Sequence, residues 1–193
     1  MPEPTESQLV LYLILYVILP IWTIAGTVDW WCHRRTKIEE TSGLKESIIH
    51  SIMGIQVGLP ILACLIFEVN VLLMLFCFFI LITHEYVAHQ DIVWATPRRE
   101  ISHLEIHAHS YLSTVPFYLI GLIVVRRWDT FLKMITFDWS GEMSLVLRSE
   151  PIGGTPYYLP YYLTFALCVG VVPYVEENIR CWNYQRRQRK AQA

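Results

Sequence analysis

The sequence predicts an all-α protein, a polytopic membrane helix bundle of about five spans, and three observations predict it. Apolar residues make up 54% of the 193 residues and charged residues only 17%, below the rough quarter of soluble domains. The apolar residues fall into five stretches that can cross a bilayer, two of them only with polar extensions. Lys and Arg collect between alternate stretches, as they do in membrane proteins of fixed orientation.

The first span is read over 9–28. The acidic start MPEPTESQ and the lack of a small-residue cleavage site predict that this segment is retained as a helix rather than removed as a signal peptide. The second span covers 48–67. The third runs over 71–89 and the fourth over 103–125, and the apolar parts of both are short, so polar turns must complete them. The fifth covers 157–175 and is followed by a basic tail, 180–193. Between the fourth and fifth, residues 126–156 read as an extracytoplasmic or interfacial segment that Trp128, Phe131, Phe137 and Trp139 rest on the membrane surface. Pro20, Pro60, Pro116 and Pro173 fall in or near spans, where neighbouring helices can supply the lost hydrogen bonds. The whole chain is one integral membrane domain, 1–193.

Eleven of the fifteen basic residues follow the first, third and fifth spans. That asymmetry predicts an N-terminus outside and a C-terminus inside. No basic groove-binding segment stands apart from this pattern, which excludes nucleic acid as a partner. Cys32, Cys64, Cys77, Cys168 and Cys181 form no CxxC pair, so neither a disulfide framework nor an iron–sulfur site is implied.

On this topology all seven histidines fall at the cytoplasmic ends of helices. Asp29 and His33 are four apart, as are Glu46 and His50, Glu85 and His89, and His103 and His107, with Glu100 three before His103. Such spacings share a helix face. Four helices each offering a carboxylate–His or His–His pair is how bundle cores hold two metal ions. Four spans are therefore expected to converge on a cytoplasmic dimetal site. The expected ligands are Asp29, His33, Glu46, His50, His84, Glu85, His89, Glu100, His103 and His107. His84 and His89 are five apart, about 140° round a helix, and converge only if the helix end unwinds. His109 shares no face with His107 and is left outside. Asp91, Glu105, Glu176 and Glu177 read as outer partners that orient imidazoles, or as solvated charges. Glu39 and Glu40 read as loop charges. The mixture of imidazole and carboxylate suits iron first, with zinc or manganese as alternatives.

The stretch His84–His109, HEYVAHQDIVWATPRREISHLEIHAH, resembles the fatty acid hydroxylase superfamily, especially its carotenoid hydroxylase branch. His84 and His89 match an H-x4-H box, Pro97-Arg98-Arg99 a basic loop, and His103 and His107 the start of a last box. Trp31-Cys32-His33-Arg34 resembles the first box weakly. No His-His doublet occurs, and Asp29, Glu46 and Glu85 stand as replacements for missing imidazoles. The resemblance implies a membrane diiron (histidine-box) oxidoreductase of hydroxylase or desaturase type, acting with dioxygen on a lipid or other apolar substrate. No flavin or nicotinamide fingerprint is present, so an external electron donor protein is expected. A zinc-dependent lipid hydrolase is the second reading, although HEYVAH has one residue too many for HExxH. A non-enzymatic haem- or metal-binding membrane protein is the third.

Single cysteines placed at Glu40→Cys and Ser140→Cys in an otherwise cysteine-free chain should react with an impermeant maleimide from opposite sides of the membrane. Labelling of both from one side would overturn the orientation.

Overall fold

The computed structural model describes residues 3–192, and these fold into helices joined by short turns and one long loop, 136–157. Five helices are long and apolar enough to cross a membrane: α1 (Glu6–Thr36), α2 (Gly43–Ile66), α3 (Val71–Ala95), α4 (His103–Arg126) and α6 (Tyr158–Ala191). A short helix, α5 (Trp128–Ile135), lies between α4 and α6. No strand forms among the described residues. A single antiparallel bridge joins Phe67 to Leu147.

Only 17–33% of the apolar windows of the five helices is buried inside the protein. Ile55, Phe79, Ile82, Tyr118 and Tyr161 stand more than 60% exposed on the outer surface. A soluble monomer does not expose apolar area on that scale, whereas a hydrocarbon solvent requires it. The bundle is thus compatible with an integral membrane protein. Its helices outrun the expected spans because their polar ends are helical too. α1 continues to Thr36, α3 to Ala95 and α6 through the basic tail to Ala191.

Start and stop signals are local. Thr5 caps α1 through a reciprocal box with Gln8. The Asn70 side chain accepts from Leu73 N at 3.1 Å and opens α3, and Ser102 accepts from Glu105 N and opens α4. α1 ends at Lys37, whose φ of 53° turns the chain out of the helix.

Pro20 and Pro173 each withhold an amide from the turn before them, and there α1 and α6 widen into π-type turns at Ile14–Ile18 and Ala166–Val171. Side chains from the opposite helix cover the freed carbonyls. The Tyr158 hydroxyl donates to Leu15 O at 2.6 Å, and Thr27 Oγ1 donates to Val169 O at 2.5 Å. These two bonds tie α1 to α6 inside the apolar layer.

The apolar core lies towards the end of the bundle that holds the α2–α3 turn. Leu15, Leu19, Leu65, Leu119, Tyr158 and Tyr162 form one buried cluster, and Val69, Leu73, Met74 and Cys77 another. The loop after α5 clasps this end. Glu68 N donates to Val146 O, Arg148 N to Ile66 O, and the Asn70 amide to Ser144 O. Residues 126–156 therefore close one end of the bundle instead of merely resting beside it. Phe131 and Met134 of α5 pack on the second cluster, while Trp128 and Phe137 remain exposed.

Tyr158→Phe keeps the ring and deletes the bond to Leu15 O. It should lower unfolding stability in detergent by about 0.6 kcal/mol, and at most by roughly 1.7 kcal/mol. An unchanged unfolding midpoint would show that this bond carries no weight.

Candidate metal centre

The chain reverses direction at every span. The C-terminal turns of α1 and α3, the N-terminal turns of α2 and α4, and the polar part of α6 therefore meet at one end of the bundle. An unpaired charge at such depth costs several kcal/mol, so ionisable residues there are rare unless they meet partners. Here they meet one another. Asp29, His33, Glu46, His50, Asp91, Glu105 and Glu177 are all buried, contributed by all five spanning helices.

His33 lies at the centre. Its Nε2 is 3.4 Å from Asp29 Oδ1 and 3.2 Å from Glu105 Oε1, and its Nδ1 is 3.0 Å from Glu177 Oε2. His50 stacks on it, ring centroids 4.6 Å apart and nearly parallel. His50 Nε2 is 3.1 Å from Asp91 Oδ1 and 4.0 Å from Glu46 Oε1, while Nδ1 is 3.8 Å from Glu177 Oε1. His109 completes the group, with Nε2 2.8 Å from Asp29 Oδ1. The Tyr174 hydroxyl donates to the other oxygen of Asp29 at 3.2 Å.

The bond from His33 Nδ1 to the Glu177 carboxylate places a proton on Nδ1, so that in the neutral imidazole Nε2 carries the lone pair. Glu177 stands behind both stacked imidazoles, in the position from which a carboxylate orients metal-binding histidines. Three overlapping groups of donor atoms lie within 4.8 Å of one another: Asp29, His33, His50 and His109; His33, Glu46 and Glu105; and Glu46, His50 and Asp91.

Arg99, from the α3–α4 turn, closes the cluster. Its guanidinium spans Glu46 and Glu105, donating to Glu46 through Nε at 3.0 Å and to both carboxylates through Nη2. Burial opposes its charge, but the bonds to Glu105 and Glu46 outweigh that and hold it more firmly protonated than a free arginine. Outside lies a rim of exposed and half-buried pairs. Glu176 takes Trp30 Nε1, Arg34 and Arg180, and Arg180 also reaches Glu39.

Of the ten expected ligands, Asp29, His33, Glu46 and His50 meet in this cluster. The other six lie elsewhere. His84 is buried but sits two turns from Asp91 in an apolar cleft; Glu85 is half-buried and His89 exposed. α3 does not unwind at His84, so the two residues of its box stay on different faces. Glu100 lies in the turn before α4, outside any helix, and is exposed. His103 and His107 are exposed on α4, because the inward face of that helix carries Glu105 and His109, two residues further on and about 200° round.

Asp91, Glu105 and Glu177 belong to the cluster, and His109 enters it with half-buried exposure. A partial signal for the α4 pair is in the sequence. Asp29–His33, Glu46–His50, Glu85–His89 and Glu105–His109 are four copies of one pattern, an acid four residues before a histidine, and three of the four meet in the cluster. Compared with models of known families, with curated proteins and with solved structures, the chain finds no match.

Replacing Arg99 by Met should destabilise the fold by roughly 3–5 kcal/mol, because it strands two buried carboxylates. Denaturation in detergent reads this directly. A loss under about 1 kcal/mol, the value of an exposed pair, would place Arg99 outside the charge balance.

Proposed function

We propose that this cluster is a dimetal centre and that the protein is a membrane oxidoreductase acting with dioxygen on an apolar substrate. One observation carries the metal reading. The cluster's nitrogens and oxygens lie as close as 2.8–3.4 Å without hydrogen-bond alignment. Asp29 Oδ1, His33 Nε2, His50 Nε2, Asp91 Oδ1 and His109 Nε2 are all buried and lack a hydrogen-bond partner. Atoms that share a proton point at each other. Atoms that share a cation at about 2.0–2.2 Å point at a common centre and stand about 3 Å apart.

Charge supports the same reading. Five carboxylates (Asp29, Glu46, Asp91, Glu105 and Glu177) face one guanidinium, Arg99. Arg180 comes no closer than 4.0 Å to Glu177 and is shared with Glu39 and Glu176. Stacked 4.6 Å apart, His33 and His50 cannot both carry a proton cheaply. Two such cations repel by roughly 3–4 kcal/mol at an effective dielectric of about 20. Even with one of them and His109 charged, the cluster lacks two positive charges. Two divalent ions fit that deficit with neutral imidazoles.

Asp29, His33, His109 and Glu105 would hold one ion and Glu46, His50 and Asp91 the other, with Glu177 orienting both imidazoles. Imidazole with a majority of carboxylates favours iron or manganese, and two such ions supply dioxygen activation. The residues of this chain bind the ions, hold His33 in one tautomer through Glu177, and keep water away by burial. Electrons come from a separate protein. The fatty acid hydroxylase likeness supports the reaction class, although of the histidines that carry it only His33, of the weak first box, lies in the cluster. A zinc hydrolase is the second reading, and metal identity separates the two.

Protein purified in detergent should contain about two iron atoms per chain. His50→Ala should remove most of the metal, Glu177→Gln should weaken binding about 10–100-fold, and His103→Ala should change nothing. One zinc per chain would favour the hydrolase. Full occupancy in His50→Ala, with its helicity unchanged, would end the metal reading.

A further inference from the structure

A narrow cleft with a cavity volume of about 90 Å³ runs between α1, α2, α3 and α4 on the apolar side of the cluster. Its wall is aliphatic apart from the thiols of Cys64 and Cys77. Its other polar residues sit at the two ends. Gln56 and His84 lie at one, and Arg126, Arg127 and Arg148 at the other.

The first end lies beneath the cluster. Val57 follows His50 by seven residues, Pro116 follows His109 by seven, and His84 precedes Asp91 by seven. Seven residues are two helical turns, so on three helices the cleft continues the face of the cluster about 10 Å further into the bundle. On α4 the lining runs from Pro116 to Arg126, about 15 Å along the axis.

The second end carries charge that the protein leaves uncompensated. Among the described residues Glu68 is the one carboxylate paired with the three arginines, 2.8 Å from Arg127 and 3.6 Å from Arg148. Arg126 reaches the backbone oxygen of Ser7, and Arg148 that of Cys64. Arg127 Nε is buried without a partner. Burial, reinforced by Arg127, draws Arg148 below its ordinary value although Glu68 opposes this. Three guanidiniums at the mouth of an apolar slot match one chemistry, an anionic head on an aliphatic chain.

We propose that the cleft binds a single-chain amphiphile with its carboxylate or phosphate head on Arg126, Arg127 and Arg148 and its chain end beside His84. The head then lies at the membrane face opposite the buried carboxylates, and the chain end is the part nearest them. Binding stands on the cleft alone. That the chain end is the part acted on rests on the oxidoreductase reading above.

Palmitate analogues carrying a diazirine at the methyl end or next to the carboxylate test this in phosphatidylcholine nanodiscs. The methyl-end probe should label residues 53–57 and 80–84, and the carboxyl-end probe residues 123–127 and 148–152. Excess palmitate or hexadecyl phosphate should suppress labelling, and whichever is stronger names the head group. Hexadecanol and hexadecyltrimethylammonium should not suppress it. The double variant Arg126→Gln, Arg148→Gln should label about ten-fold less, the worth of one lost charge-assisted bond. Leu119→Trp, which fills the cleft without touching charge, should do the same. His50→Ala should lose metal and keep labelling, which separates failure of this site from failure of the metal centre. Labelling spread over the lipid-facing surface, reversed between the two probes, or equally suppressed by hexadecanol would overturn the proposal.

Discussion

Five carboxylates buried at one end of a membrane bundle are the constraint on which the rest of this structure depends. None of them can be left alone in a low dielectric, and no single helix can satisfy them. The bundle answers by bringing an acid or a histidine from every spanning helix to one place, with Arg99 as the cation supplied from a turn. The helices must therefore run past their apolar stretches. α1 extends to carry Asp29 and His33, α2 begins early to carry Glu46 and His50, and α3 continues to Asp91.

The two ends of the molecule are held by different physics. At the charged end, ion pairs and convergent donors fix the spacing of the helices. At the other, aliphatic packing and backbone bonds do so, with the 136–151 loop laid across the α2–α3 turn. Between them, prolines open π-type turns whose carbonyls are covered by Tyr158 and Thr27. These bonds join α1 to α6, the first and last spans of a bundle in which α1 also packs on α4 and α2 on α6. Hydrocarbon provides no water to cover such a carbonyl, so a side chain has to.

The likeness to the histidine-box enzymes and the geometry draw mostly on different residues. The likeness rests mainly on His84, His89, His103 and His107, three of them exposed, and only weakly on the box around His33. The cluster rests on a repeated acid-x3-His pattern in α1, α2 and α4, completed by Asp91 and Glu177. Its mixture of donor groups is richer in carboxylates than a histidine box and closer to that of carboxylate-bridged centres in soluble bundles. The basic loop around Arg99 belongs to both descriptions, and the structure gives it a definite role between Glu46 and Glu105.

By itself the sequence determined the class of the fold, because apolar length and hydropathy report directly on solvation in a bilayer. It determined which end of the bundle is polar, and it paired Asp29 with His33 and Glu46 with His50, because i,i+4 spacing is a local property of any helix. It could not decide between interleaved faces. On α4 the pairs His103–His107 and Glu105–His109 have identical spacing, and only packing against α1 chose the second. On α3 the Glu85–His89 pair has good register yet lies off the inward face, while Asp91 reaches His50. Glu177 showed no pairing signal, since its partners lie 127 or more residues away. The tertiary structure decided these cases because a helix's rotation about its axis is set by all its neighbours together, and no spacing within one segment encodes it.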